Sequence, residues 1–250
     1  MNKANFKKTR TVLITGGAKR IGAALVKAFH QQGMNVLFQY HRSVEQANYL
    51  AQSLNQQRPD SVVAVCFDLE IFDNYLLLRN SVNEHFGRLD VLINNASAFF
   101  PTSADQVNED QWNRLFDINA KAPFFLSCHC RDLLKEQHGS IINLTDIYAK
   151  TPLSDYAVYC ATKAALENLT LSLASSFAPD IRVNAIAPGA ILAPEGKTDD
   201  AMAELVEKTP LKRLGGEASI VETALFLVSQ ASFITGQIIN VDGGRTVVSM

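Results

Sequence analysis

Seven short apolar runs recur along the chain, most of them rich in β-branched residues and most followed by a longer stretch whose apolar positions return every three or four residues. The runs are Val12–Ile14, Val36–Phe38, Val62–Val65, Asp90–Ile93, Ser140–Leu144, Ile181–Ile186 and Gln237–Val241. Helical stretches are predicted over about 20–33, 44–57, 76–86, 109–137 (as two segments) and 155–177, the last stopped by Pro179. Runs apolar at successive rather than alternate positions are the mark of strands covered on both faces. The alternation therefore predicts an α/β fold: a doubly wound parallel sheet of seven strands, helices on both faces, in a single domain over residues 1–250. Residues 1–10 read as an N-terminal extension. The one long irregular stretch is 188–210, with two Gly, three Pro and several charges. A loop of that length is a functional lid, here expected to be a substrate-binding loop, or a disordered segment.

Composition excludes more than it selects. Of 250 residues, 47% are hydrophobic and 19% charged, with a net charge of −2. That is ordinary for a soluble globular protein and offers no basic field to a nucleic acid. The apolar runs are too short to cross a bilayer. The basic N-terminus leads straight into the first strand without the apolar core of a signal peptide, so no membrane partner and a cytoplasmic location are expected. Cys66, Cys128, Cys130 and Cys160 form no Cys-x-x-Cys pair, and the five histidines are scattered. Reduced thiols and no metal are expected.

Three places carry chemistry. Thr15-Gly16-Gly17-Ala18-Lys19-Arg20-Ile21-Gly22 joins the first strand to the first helix. Glycines there let backbone N–H groups approach a pyrophosphate at a helix N-terminus, where the partial charge is positive. The second strand ends Gln39-Tyr40-His41-Arg42-Ser43 with no carboxylate before Glu45. A carboxylate there would bind a ribose 2′-hydroxyl, whereas Arg42, with His41, Ser43 and Lys19, suits a 2′-phosphate, so NADPH is expected over NADH. Finally, Tyr159 and Lys163 are four residues apart and share a helix face, with Asp146 thirteen residues before the tyrosine. An ammonium beside a phenol is expected to lower the phenol's pKa and make it a proton donor and acceptor near neutrality.

These motifs resemble the short-chain dehydrogenases/reductases, a Rossmann-type family. The glycine loop is similar to that family's T-G-x-x-x-G-x-G, with Arg20 in place of the middle glycine. Asn94-Asn95-Ala96 matches N-N-A-G, with Ser97 in place of its glycine. Asn119 lies 40 residues before Tyr159, where the family has a helix-kinking asparagine. Pro188-Gly189 follows the sixth strand, and Val241-Asp242-Gly243-Gly244 matches the usual C-terminal end. The resemblance implies cofactor contacts from Gly16, Lys19, Arg20, Ile21, His41, Arg42, Ser43, Asn95, Ala96, Ser97, Tyr159, Lys163, Pro188 and Gly189. Asp68 stands where family members contact adenine, or else caps its loop. Catalysis falls to Tyr159, Lys163, Asp146 and Asn119, the last holding a water that links Lys163 to solvent.

Most of the family has serine where this chain has Asp146. Together Arg20 and Asp146 resemble the pteridine reductases. Tyr40 to Ser43, Glu45 to Asn48, Leu54 to Pro59 and Asn94 to Thr102 are similar to the trypanosomatid members of that group. The resemblance implies a pterin held between nicotinamide and Phe99, touching Arg20, Ser97, Asp146 and Tyr159. It also implies reduction of dihydrobiopterin or dihydromonapterin, with dihydrofolate a further candidate, inhibition by antifolates, and a homotetramer built on the Tyr159 helix and residues 217–228. Hydride is expected at C6 of a 7,8-dihydropterin, with a proton to the neighbouring nitrogen, and at C7 where fully oxidised pterins are accepted, with Tyr159 and Asp146 relaying the proton; to donate, Asp146 must be protonated or share a proton with Tyr159. The alternatives are an NADPH-dependent carbonyl reductase, such as a 3-oxoacyl carrier-protein reductase, and a non-catalytic NADP-binding sensor.

Overall fold

The computed structural model describes residues 9–192 and 199–247. The first eight residues of the expected N-terminal extension, and 193–198 of the expected substrate loop, lie outside them. The strands are β1 (Thr11–Ile14), β2 (Asn35–Tyr40), β3 (Val62–Cys66), β4 (Val91–Asn94), β5 (Ser140–Leu144), β6 (Arg182–Pro188) and β7 (Ile238–Val241). They form one all-parallel sheet in the order β3-β2-β1-β4-β5-β6-β7. The chain runs outward from β1 to β3, then returns to β4 on the other side of β1. The fold is therefore the seven-stranded Rossmann-type α/β domain that the apolar runs predict.

The helices are α1 (Arg20–Gln31), α2 (Val44–Gln57), α3 (Asn74–His85), α4 (Glu109–Phe116), α5 (Ala122–His129), α6 (Arg131–Lys135), α7 (Ala157–Phe177), α8 (Asp199–Glu207) and α9 (Gly216–Ser229). A single π turn, Asp117–Lys121, joins α4 to α5. Two sequence expectations change. Residues 188–210 are not irregular throughout, because α8 occupies 199–207; its nine residues were hidden between the flanking Pro and Gly. Residues 216–229 form a helix that the apolar pattern does not predict. Among the described residues no helix is long and apolar enough to cross a membrane.

Each apolar run resolves into two sides once folded. Val12 and Ile14 join Val36, Phe38, Val91 and Ile93 against α1, α2 and α9. Leu13 joins Leu37, Leu92 and Ile141 against α3, α5 and α7. All four β1 residues are buried, so the strand's period of two is invisible in its hydrophobicity. The layers leave the C-terminal ends of β1 and β4 diverging at the point where strand order reverses. Crevices at such a point bind ligands in open α/β sheets.

Candidate active site

The turn after β1 is laced to the ends of β4 and β2. Thr15 Oγ1 accepts from the N–H groups of Asn95 and Ala96, both at 3.0 Å. Asn95 Nδ2 donates to the carbonyls of Thr15 and Gly16 at 2.9 and 3.0 Å. Gln39 Oε1 accepts from Gly16 N–H at 2.9 Å while its Nε2 donates to Phe67 O at 2.6 Å. A Cβ at Gly16, where φ is +64°, would lie 2.9 Å from Ala96 Cα, and one at Gly22 would lie 2.0 Å from Gly16 O. Both glycines are thus required by close approach. Arg20, the first residue of α1, also has positive φ, +51°, a conformation that disfavours any residue with a Cβ by roughly 1–2 kcal/mol. That accounts for the glycine at this place in the family's motif.

Above this turn opens a cavity of ≈470 Å³. Gly16, Lys19, Arg20, Ile21, His41, Arg42, Ser43, Asp68, Asn95, Ala96 and Ser97 all line it, so most of the expected cofactor residues come together. Gln39, Leu69, Arg114 and Ile118 line it too and were not singled out by any motif. Among the described residues that line it, Asp68 is the single carboxylate, against Lys19, Arg20, His41, Arg42 and Arg114. Asp68 caps its loop and also lines the cavity. Its Oδ1 accepts from Glu70 N–H at 3.0 Å, capping the loop, and its Oδ2 lies 3.6 Å from His41 Nε2 at the cavity wall. A clear backbone turn beneath a predominantly basic groove fits a phosphate-bearing dinucleotide.

Pro188 and Gly189 stand elsewhere, at the end of β6. Gly189 N–H donates to Val241 O at 2.9 Å, and a Cβ there would lie 2.5 Å from Asp242 Cβ. Their contacts tie β6 to the Val241–Gly244 turn. Burial would push the Asp242 carboxyl up, but bonds from Thr246 and from Gly244 N–H hold it below its ordinary value.

The proton-handling residues meet at the start of α7. Tyr159 Oη donates to Asp146 Oδ2 at 2.7 Å, and Tyr148 N–H donates to Asp146 Oδ1 at 2.9 Å. Asp146 is partly buried. Burial pushes its carboxyl above the ordinary range, opposed by those two bonds and by the charges of Lys163 and Arg245. Lys163 is 2% exposed and donates to Leu144 O at 2.9 Å, with Nζ 5.8 Å from the Tyr159 ring centroid. Burial brings its pKa down to about 8, with Asp146 acting the other way.

One expectation is overturned here. The tyrosine's pKa is not lowered: burial, and then Asp146, push the Tyr159 hydroxyl well above its usual value. The phenol is a proton donor locked onto a carboxylate, and the two groups hold a proton between them.

Asn119 is fully buried in the π turn. Its Oδ1 accepts from Ala98 N–H at 2.8 Å and Ser97 Oγ at 3.1 Å. Its Nδ2 donates to Ala98 O at 3.0 Å and Thr162 Oγ1 at 3.1 Å. All four bonds of the amide are used, so a water-holding role cannot fall on this side chain. Phe99 is 54% exposed and lies edge-on to Tyr159, ring centroids 4.7 Å apart at 82°. Its face stacks on Tyr156 at 4.6 Å and 12°. No motif pointed to Tyr156, because its role depends on a ring from a distant segment.

Comparisons agree with this geometry. The family model described as "Enoyl-(Acyl carrier protein) reductase" matches residues 16–246. Pteridine reductase 1 of Leishmania tarentolae is 34% identical, over 94% of this chain and 96% of its own. The 3-oxoacyl-(acyl-carrier-protein) reductase of Staphylococcus aureus is 32% identical, over 96% and 99%. At 32%, over 96% and 95%, 3beta-hydroxysteroid dehydrogenase 1 of Eggerthella lenta is also similar. Sheet order, glycine turn, buried Tyr159 and Lys163, and these full-length similarities together show that the chain belongs to the short-chain dehydrogenase/reductase family and is an oxidoreductase of that family.

Proposed function

We propose that this protein is an NADPH-dependent pteridine reductase that converts dihydropterins to tetrahydropterins. The observation that carries the reading is Asp146, bonded to Tyr159 Oη at 2.7 Å beneath the exposed Phe99 ring. A carbonyl reductase of the family has serine there, a neutral donor for a ketone oxygen. A carboxylate paired with a phenol instead suits a basic ring nitrogen, which needs a proton as its neighbouring carbon is reduced.

The division of labour follows. NADPH, when bound, supplies the hydride. Lys19, Arg42, His41 and Ser43 bind its 2′-phosphate, and the Gly16 turn with the α1 N-terminus binds its pyrophosphate. Asn95, Ala96 and Ser97 form the floor of the groove, and Asp68 its adenine side. Pro188 and Gly189 border the nicotinamide end. Tyr159 and Asp146 relay the proton to the ring nitrogen. Burial favours the protonated carboxyl and so keeps that proton available. Lys163 orients the ribose; Asn119 holds Ala98 and Ser97 in place. Phe99 offers a flat face to the pterin, and Arg20 and Ser97 touch it from the groove.

Pteridine reductase 1 among the relatives supports this reading, as does the predominance of basic residues around the cavity. The second reading, a 3-oxoacyl-carrier-protein reductase, is favoured by the 32% relative and opposed by Asp146 and Arg20. Antifolates are the inhibitors we expect, the cytoplasm the location, and a homotetramer the assembly. The test is NADPH oxidation by the purified protein with 7,8-dihydrobiopterin, 7,8-dihydromonapterin and acetoacetyl-CoA in parallel. Turnover is expected with the dihydropterins. Turnover with the thioester alone would overturn the proposal, and NADPH binding without turnover would point to a sensor.

A further inference from the structure

The segment between β4 and α4 carries Phe99, and it is fastened at two points by residues far away in sequence. At one end Asn119 grips both backbone groups of Ala98, accepting from its N–H at 2.8 Å and donating to its carbonyl at 3.0 Å. At the other end Thr102 N–H donates to Asp155 O at 2.6 Å, and Thr102 forms an isolated parallel bridge with Tyr156. Thr102 Oγ1 then accepts from Val158 N–H at 3.3 Å. The first turn of a helix has N–H groups without intrahelical partners. In α7 one of these is capped by a threonine some fifty residues upstream, instead of by the N-cap residue Tyr156. Thr102 is 2% exposed, so this hydroxyl does not exchange its partner for bulk water.

Between the two pins the side chains part. Phe100 packs against the cluster of Leu115, Val158, Tyr159 and Cys160. Phe99 is turned out toward solvent, its face on Tyr156 and its edge toward Tyr159. A segment fixed at 98 and 102, with one aromatic anchored inward, leaves its neighbour little room to swing.

We propose that Thr102 and Tyr156 are positioning residues that hold Phe99 as a rigid aromatic wall beside Tyr159, and that this wall selects a flat heteroaromatic substrate over a flexible acyl chain. The inference rests on the pteridine-reductase reading and adds to it the residues that set the choice. Stacking depends on ring orientation and separation, so a wall free to tilt loses affinity for a planar ring. An acyl thioester has no aromatic ring at its reacting end and does not depend on that orientation.

The experiment uses the full chain with Thr102→Val, Thr102→Ser, Tyr156→Ala and Tyr156→Phe. Valine keeps the volume of threonine but leaves Val158 N–H without its acceptor; serine restores it. Phenylalanine keeps the stacked ring that alanine removes. For Thr102→Val and Tyr156→Ala, KM for 7,8-dihydrobiopterin is expected to rise about threefold to tenfold. The kcat with that substrate, the kcat/KM with acetoacetyl-CoA and the Kd for NADPH should stay near wild type. Thr102→Ser and Tyr156→Phe should restore the dihydropterin KM. An unchanged dihydropterin KM in both disruptive variants would overturn the inference, as would equal losses with both substrates. If the wild-type protein does not turn over dihydropterins, the substrate reading fails and hydrogen exchange decides the positioning. The amides of residues 98, 99, 100 and 102 must then exchange faster in Thr102→Val while those of α7 beyond its first turn do not; unchanged exchange would overturn it.

Discussion

The behaviour of Lys163 and Tyr159 is governed by where they are buried. Lys163 has a pKa brought down to about 8 by burial, so its charge is present below that pH and lost as pH rises through it. Its folded value lies below the ordinary 10.5. The stability contributed by the neutral amine is thus full above about 10.5 and is lost as pH falls through about 8. In kcat/KM, which reports the free enzyme, an alkaline limb is expected near pH 8. Lys163→Arg, which keeps its proton, should remove that limb from the remaining activity; a wild-type limb near pH 10 would contradict this. Arg20 shows a different balance. Its positive φ is relieved by Arg20→Gly, and the gain of roughly 1–2 kcal/mol is offset by about 0.5–1 kcal/mol of added chain freedom. The contacts of the Arg20 side chain are lost as well, so the expected readout is KM: it should rise for the dihydropterin in Arg20→Gly, and an unchanged KM would remove Arg20 from the pterin site.

Elements were legible in the sequence where a local rule governs them. The seven apolar runs became seven strands because burial on both faces leaves a continuous signature. The glycine turn was legible because Gly16 and Gly22 each answer a backbone approach within the motif itself. Helix α8 was not legible, because nine residues set between Pro194, Gly196 and Pro210 read as loop by composition. Gln39, Thr102 and Tyr156 were missed for another reason: each acts through a partner brought near only by folding, at Gly16, Val158 and Phe99. The sign of the Tyr159 shift was misread from the Tyr-x-x-x-Lys spacing, because spacing shows neither burial nor the Asp146 bond. In the proposed function the end of β2 sets cofactor choice. Arg42→Ala should lower kcat/KM for NADPH about tenfold to a hundredfold, the worth of a charge-assisted phosphate contact, with little change for NADH. Equal losses with both cofactors would remove the 2′-phosphate from the account.

At the scale of the whole molecule, the sheet brings two halves of a reaction site together. The groove lies where β1 and β4 diverge, and the bonded pair of Asp146, just past β5, and Tyr159, on α7, lies beside the next strand. Helices α7 and α9 also present apolar groups outward, Leu171 and Phe226 among them, and these are the faces on which we place the homotetramer. Sedimentation equilibrium should find four chains per particle, and Leu171→Glu should shift that mass downward. A monomer at micromolar concentration would refute the assembly.

In the proposed function Asp146 directs a family site toward a pterin ring. The most direct test is the ratio of kcat/KM for 7,8-dihydrobiopterin to that for acetoacetyl-CoA, compared between wild type and Asp146→Ser. Serine restores the donor that carbonyl reductases use. The account predicts that the ratio falls by about a hundredfold or more, the usual size of a general acid–base contribution, with NADPH affinity unchanged. A ratio that stays the same would contradict it.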